Sequence, residues 1–267
     1  MNRRTVKGGA DGPIWGVAEY GDPSGRVLLL HHGSIGSAVL PDFWDDYARA
    51  AGVRLIAVER PGYGLTPPLE MPSIAAWAAL MEPVLDACGV TGFDVAGISA
   101  GAPYAYAQAA APGSRVRGVW VLSGLPYVID DGVRSHYPAE ALAVWAFYRD
   151  TPRDELIAHF AEAAPGWAEA FAAHPTARTA LAEMAGHGCL GPAREVELQT
   201  RPWGFTPGDV RRPVRLWHTP DDDMVPYDAV SATVALLPDA VLTRQPEPTH
   251  VPSDTTVRAL FAELAAE

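Results

Sequence analysis

The sequence predicts an α/β fold: a mostly parallel central sheet flanked by helices, with a helical cap inserted into it. Three observations carry this. Short apolar runs such as Arg26-Val-Leu-Leu-Leu-His31 and Val53-Arg-Leu-Ile-Ala-Val58 alternate with segments of helical period, as expected for strands buried on both faces. The alternation stops over residues 126–203, where alanine-rich helical stretches succeed one another, and resumes at Pro213-Val-Arg-Leu-Trp-His218. A Gly97-Ile-Ser-Ala-Gly101 pentapeptide joins a strand-like run, residues 93–98, to an alanine-rich helix former, residues 102–111.

Residues 14–20 read as the first strand, ended by the turn Gly21-Asp-Pro-Ser-Gly25. Residues 26–31 form a second. Residues 41–51 are a short helix carrying Phe43, Trp44 and Tyr47. The strand at 53–58 is broken by Glu59-Arg-Pro-Gly-Tyr-Gly64. Residues 74–88 are helical, with Gly89 placed to stop them. Residues 116–122 are the next strand. Helices are then expected at 139–149, 153–164, 167–173 and 177–185, a lid over the C-terminal edge of the sheet. Strands at 213–218 and 241–245 and a helix at 255–266 close the chain. The predicted division is a core of residues 1–125 and 204–267 and a cap of residues 126–203. No internal repeat or low-complexity linker is evident.

Composition narrows the class. The 267 residues are 48% hydrophobic with mean hydropathy +0.01, enough for a substantial core. A net charge of −12 argues against nucleic acid and anionic membrane surfaces as partners. No run reaches the roughly 18 apolar residues of a membrane span. The basic start, Met1 to Lys7, is followed by Gly8-Gly-Ala-Asp-Gly12 instead of an apolar stretch, so no secretory signal is expected. Two cysteines, Cys88 and Cys189, lack metal or redox spacing, and a cytoplasmic, reducing location is expected. No phosphate-binding glycine loop, metal-binding histidine pair or basic patch is present, so no cofactor and no metal are called for. The expected partner is a small molecule, and monomer and homodimer are equally compatible with the chain.

The pentapeptide suggests chemistry. A serine on a sharp strand-to-helix turn has its hydroxyl exposed at the sheet edge, and flanking glycines are needed where neighbouring backbone leaves no room for a Cβ. A serine hydroxyl needs a base to take its proton and an acid to orient that base. Candidates follow two late strands: Asp222 in Thr219-Pro-Asp-Asp-Asp-Met-Val-Pro226, and His250 in Glu247-Pro-Thr-His-Val-Pro252. In a parallel sheet the strands' C-terminal ends share an edge, so loops leaving it can converge on Ser99. Asp221 and Asp223 compete with Asp222, whose spacing to Val225-Pro226 favours it. His31 and His32 are expected to shape the loop after their strand, and His218 to be a hydrogen-bonded core residue.

In these segments the chain resembles the α/β-hydrolase fold superfamily. His31-His-Gly-Ser-Ile-Gly-Ser37 is similar to its oxyanion loop. Glu59 to Gly64 is similar to its Asp-Arg-Pro-Gly-Tyr-Gly segment, with Glu for Asp. Gly97 to Tyr104 is similar to its nucleophile elbow, and Asp222-Asp-Met-Val-Pro226 to its acid loop. Arg201-Pro-Trp-Gly-Phe205 resembles a segment of bacterial serine hydrolases. The resemblance implies Ser99 as nucleophile, Asp222 as acid and His250 as base, with an oxyanion hole from the backbone N–H groups of Ser34 and Ala100. It departs at Thr219 and Thr249, where the family usually has Gly, and at Ala100-Gly-Ala-Pro103, where it often has Gly-Gly-Gly-Pro.

The expected substrate is apolar or aromatic, in a pocket lined by Ile35, Tyr104, Trp145, Tyr148 and Trp203. The leading expectation is a serine hydrolase cleaving a carboxylic ester, thioester or lactone through an acyl-enzyme. A second uses the same residues as acid and base in C–C bond cleavage, lyase or cyclase chemistry, because fold does not dictate reaction. A third is a non-catalytic ligand-binding module. Dehalogenase and epoxide hydrolase chemistry would need a carboxylate at position 99.

Overall fold

The computed structural model describes residues 1–266 and has an eight-stranded sheet at its centre. Strands β1 (Asn2–Lys7) and β2 (Ile14–Gly21) form an antiparallel pair. Next come β3 (Arg26–His31), α1 (Phe43–Ala50), β4 (Val53–Val58), α2 (Ala76–Ala87), β5 (Phe93–Ile98), α3 (Ala102–Ala110) and β6 (Val116–Leu122). Five helices follow with no strand between them: α4 (Asp131–Arg134), α5 (Ala139–Asp150), α6 (Arg153–Ala170), α7 (Pro175–Gly186) and α8 (Leu190–Gln199). The chain then returns through β7 (Val214–His218), α9 (Tyr227–Val234), β8 (Ala240–Arg244) and α10 (Asp254–Ala266).

The strand order is β1-β2-β4-β3-β5-β6-β7-β8, and every pair from β4 to β8 is parallel. The crossover that puts β4 outside β3 makes β3 and β5 neighbours. Their C-terminal ends lie side by side, with His31 opposite Gly97. The loop after β3 is therefore delivered to the turn after β5.

Alternation along the strands distributes side chains to two cores. Leu29, Ile56, Val58, Val95 and Val121 face the layer containing α2 and α3. Leu28, Leu30, Leu55, Ala57, Ala96 and Leu122 face the layer of α1 and α10, where Trp44 meets Phe261 edge-on. The inserted helices have a core of their own: Leu156, Phe160 and Ala164 of α6, Leu181 and Met184 of α7, and Ala193 and Val196 of α8. Tyr63, from the turn after β4, is part of that cluster. Among the described residues no helix is long and apolar enough to cross a membrane.

Besides the single-turn α4, which was not expected from the sequence, three elements differ from the expectation for reasons that packing explains. β1 had no apolar alternation to announce it, because it is an edge strand in which only Val6 is buried. The two helices expected at 153–164 and 167–173 are one, α6, which continues through Pro165. Packing of Leu156, Phe160 and Ala164 holds this helix across the lost backbone bond. α8 was not expected, since its buried face includes Glu195, Glu197 and Gln199 and so lacks an apolar stripe.

Candidate active site

Ser99 begins a single 3-10 turn, Ser99–Gly101, between β5 and α3, and its φ is +50°. A non-glycine residue in the left-handed region is strained, and it holds here because the surrounding backbone is packed against it. A Cβ on Gly97 would lie 2.7 Å from the Ala102 Cα, and one on Gly101 2.2 Å from the His31 carbonyl oxygen. Both flanking glycines are thus sterically required. The Leu125 N–H donates to the Ser99 carbonyl at 3.0 Å and pins the turn from β6's side.

The loops after β7 and β8 converge on this turn. The His250 Nε2 is 2.8 Å from the Ser99 Oγ, and its Nδ1 is 2.8 Å from the Asp222 Oδ2. A carboxylate can only accept, so the proton sits on Nδ1 and Nε2 is free to accept from the serine hydroxyl. The Asp222 Oδ1 accepts from the N–H groups of Met224 and Val225, both at 2.9 Å. Burial of Asp222 opposes its charge, but the bond to His250 and the two backbone donors outweigh it. The carboxyl is held below the usual carboxylate range. Asp221 and Asp223 are exposed loop residues, and the structure brings Asp222 alone of the three to His250.

His250 is held from behind. Gln245, buried at the end of β8, donates through Nε2 to the Thr249 carbonyl at 2.7 Å and the Glu247 carbonyl at 3.3 Å. His218 lies beside Asp222, its Nε2 2.9 Å from the Val225 carbonyl and 3.5 Å from the Asp222 Oδ2. Burial pushes its pKa down, so it is a neutral neighbour that donates to Val225. His218 is the hydrogen-bonded core residue expected of it, but its place beside Asp222 and the role of Gln245 were not legible in the sequence. A buried Gln closing a strand and a second His near the acid are the only traces they leave. The two threonines that replace glycine turn into their loops: the Thr219 Oγ1 accepts from the Asp221 N–H at 3.3 Å, and the Thr249 hydroxyl donates to the Val251 carbonyl at 3.0 Å.

The loop after β3 borders the turn on its other side. A Cβ on Gly33 would be 3.5 Å from the Ser99 Cβ, so this peptide lies against the nucleophile candidate. Ser34, the next residue, is exposed, and its N–H makes no hydrogen bond among the described residues. Ala100 begins to bury immediately behind Ser99.

The residues expected to line a pocket separate into three groups. Ile35 and Tyr148 pack onto the cluster of inserted helices, where Tyr148 stacks on Phe160 at 5.8 Å. Trp145 is half-buried, edge-on to Tyr137 at 6.3 Å, and borders a surface recess with Leu142 and Thr200. Tyr104 and Trp203, contrary to the expectation, are core residues 1% and 0% exposed. Tyr104 is sealed between Trp77 and the Arg60 guanidinium. The Trp203 indole N–H donates to the Gln199 carbonyl at 3.1 Å, and its ring meets Tyr127 edge-on. Both needed a hydrogen-bonded or cation-lined interior, and their position near motif residues concealed that.

A family model described as the alpha/beta hydrolase family matches residues 27–264. Among solved structures, the chain is similar to an esterase from Exiguobacterium antarcticum, with TM-score 0.74, 16% identity and coverage of 97% of this chain and 98% of that one. It is similar to an esterase from Rhodococcus sp. ECU1013, with TM-score 0.70, 24% identity and coverage of 99% and 100%. It is also similar to a hydrolase from Pseudomonas aeruginosa PA01, with TM-score 0.70, 17% identity and coverage of 99% and 97%. At these identities the likeness is one of fold. No curated sequence gives a significant match.

Proposed function

The chain belongs to the alpha/beta hydrolase family, and from that premise we propose that it is a serine hydrolase cleaving a carboxylic ester, thioester or lactone through an acyl-enzyme. The observation that supports this best is His250, which reaches the Ser99 Oγ and the Asp222 Oδ2 at 2.8 Å each. In this reading Ser99 attacks the carbonyl while its proton passes to the His250 Nε2. Asp222, kept ionised by its two backbone donors and the imidazole, stabilises the imidazolium that forms. The N–H groups of Ser34 and Ala100 face the oxygen on which charge develops, and one such donor is worth about 3–4 kcal/mol. His250 then returns the proton to the leaving group, and a water repeats the sequence on the acyl-enzyme.

In this reading the α5–α8 helices serve as the cap, and Ile35 and Tyr148, which pack against its core, are the candidates for an apolar pocket wall. Met224 and Val251, each near a triad member in sequence and 65% and 64% exposed, would add apolar surface beside the site. A small apolar or aromatic substrate fits such a surface. Free, buried Cys88 and Cys189 fit a reducing, cytoplasmic location.

The test is a series of p-nitrophenyl esters from acetate to dodecanoate, with Ser99→Ala as control. Turnover by the wild type that is lost in the variant supports acyl transfer, and the preferred chain length reports the depth of the pocket. A folded wild type that neither turns over nor takes a fluorophosphonate on Ser99, read by mass spectrometry, overturns it.

A further inference from the structure

Arg60 is 1% exposed, and its planar guanidinium spends its donors in three directions. The Nε donates to the Glu195 Oε1 at 2.6 Å, Nη1 to the His32 carbonyl, and Nη2 to the Gly33 carbonyl at 3.2 Å. The Gly33 carbonyl also lies 2.7 Å from the His32 Nδ1. The His32 Nε2 accepts from the Arg60 N–H at 3.2 Å, which leaves the ring proton on Nδ1 to donate to Gly33. That carbonyl and the Ser34 N–H are two ends of one peptide unit. In a trans peptide they point in opposite directions. Two donors on the carbonyl, one of them cationic, therefore aim the N–H away from Arg60, and they polarise it through the amide.

Arg60 is in turn set by the inserted helices. Glu195 lies on α8, 3% exposed, and its second oxygen accepts from the Tyr63 hydroxyl at 2.9 Å. The backbones of the two segments touch: a Cβ on Gly62 would lie 2.6 Å from the Gly191 Cα. A buried ion pair is weak evidence for stability, because desolvation offsets its attraction. What this pair does secure is the direction of two successive carbonyls in the loop beside Ser99.

We propose that Arg60 is a positioning residue for the oxyanion site, orienting and polarising the Gly33–Ser34 peptide, and that Glu195 makes this dependent on the docking of α8. The inference rests on the serine-hydrolase reading above. Without its α8 partner Arg60 would be released, the loop would slacken and the oxyanion donor would be less firmly placed.

Glu195→Gln keeps the shape of the side chain and removes its charge, Arg60→Lys keeps the charge and loses the fork, and Tyr63→Phe removes one partner of Glu195. Each is assayed on p-nitrophenyl butyrate and titrated with an alkyl trifluoromethyl ketone, which forms a charged tetrahedral adduct on serine. For Glu195→Gln and Arg60→Lys, kcat is expected to fall about tenfold or more, a fraction of the about 10²–10³-fold seen when a donor is deleted. KM should stay within about twofold, and ketone affinity should fall in parallel with kcat/KM. Tyr63→Phe should show the same pattern, smaller, and covers the case in which the charged variants do not fold. Folded variants with lowered Tm but unchanged kcat and ketone affinity would overturn the proposal. A wild type that neither hydrolyses the ester nor binds the ketone would instead remove the serine-hydrolase reading beneath it.

Discussion

At the scale of single residues, the site depends on short contacts that tolerate little displacement. Ser99→Ala should lower kcat/KM by about 10³-fold or more, measured on the best ester of the series. Asp222→Asn should also lose most activity, because the amide no longer favours a proton on the His250 Nδ1. It has a stability signature as well. The folded pKa of Asp222 is depressed, so its contribution is fully present above the usual carboxylate range and lost as pH falls through the folded value. The wild type should therefore exceed Asp222→Asn in urea midpoint at pH 7, with the gap narrowing below about pH 4. Gln245 touches no reacting group but holds the Thr249 and Glu247 carbonyls just before His250. Gln245→Ala should lower kcat about tenfold to a hundredfold with little change in KM. An unaltered kcat would show that the loop holds itself.

At the scale of elements, two positions put opposite demands on the backbone. Gly101 lets the turn after β5 rest on the end of β3: a Cβ would approach the His31 carbonyl to 2.2 Å and that of His32 to 2.7 Å. Gly101→Ala must push these strands apart or shift Ser99, and it should lose both activity and several degrees of Tm. Pro165 is the reverse case, an exposed proline inside α6 that withholds a backbone donor. Pro165→Ala restores that donor. It should stabilise the protein by about 1–3 kcal/mol, less whatever the proline contributes by restricting the unfolded chain, and leave kcat unchanged. Calorimetry decides the sign.

At the scale of the whole molecule, three histidines are buried without charge. Burial pushes His31 down to about 3, His32 well below the ordinary histidine value, and His218 below it. Unfolded histidines bind protons near pH 6.5, while these do not until the folded values are reached. Below about 6.5 the unfolded chain thus binds more protons, a difference that for His31 persists down to about 3. Stability should fall with pH by up to about 1.4 kcal/mol per unit for each histidine. Chemical denaturation at pH 7.5 and 5 measures this, and equal or greater stability at pH 5 would contradict the burial of neutral imidazoles. The dependence arises from the ends of β3 and β7, so acid should loosen the site's own sheet edge first.

The legible part of the molecule is the part with repetitive pattern or local stereochemistry. Apolar runs in β3 to β7 announced buried parallel strands, and Gly97 and Gly101 around Ser99 announced a strained turn, because both signals are set by near neighbours in the chain. Asp222 and His250 could be picked from loops following late strands, since a parallel sheet sends all such loops to one edge. β1 and α8 were hidden for a common reason: an edge strand with one buried residue and a helix with a polar buried face carry no apolar period. Their burial is a property of what they pack against.

Local pattern in the chain was enough for the fold class, for the order of the candidate nucleophile, acid and base, and for the place where the strand–helix alternation is interrupted. Three things came from packing instead: that Asp222 and not its neighbours meets His250, that Tyr104 and Trp203 belong to the interior, and that Glu195, 135 residues from Arg60, holds the guanidinium that faces the loop beside Ser99. The physical reason is one of range. Backbone strain and side-chain periodicity act within a few residues, whereas hydrogen-bond partners and burial are settled by the packing of segments far apart in the chain.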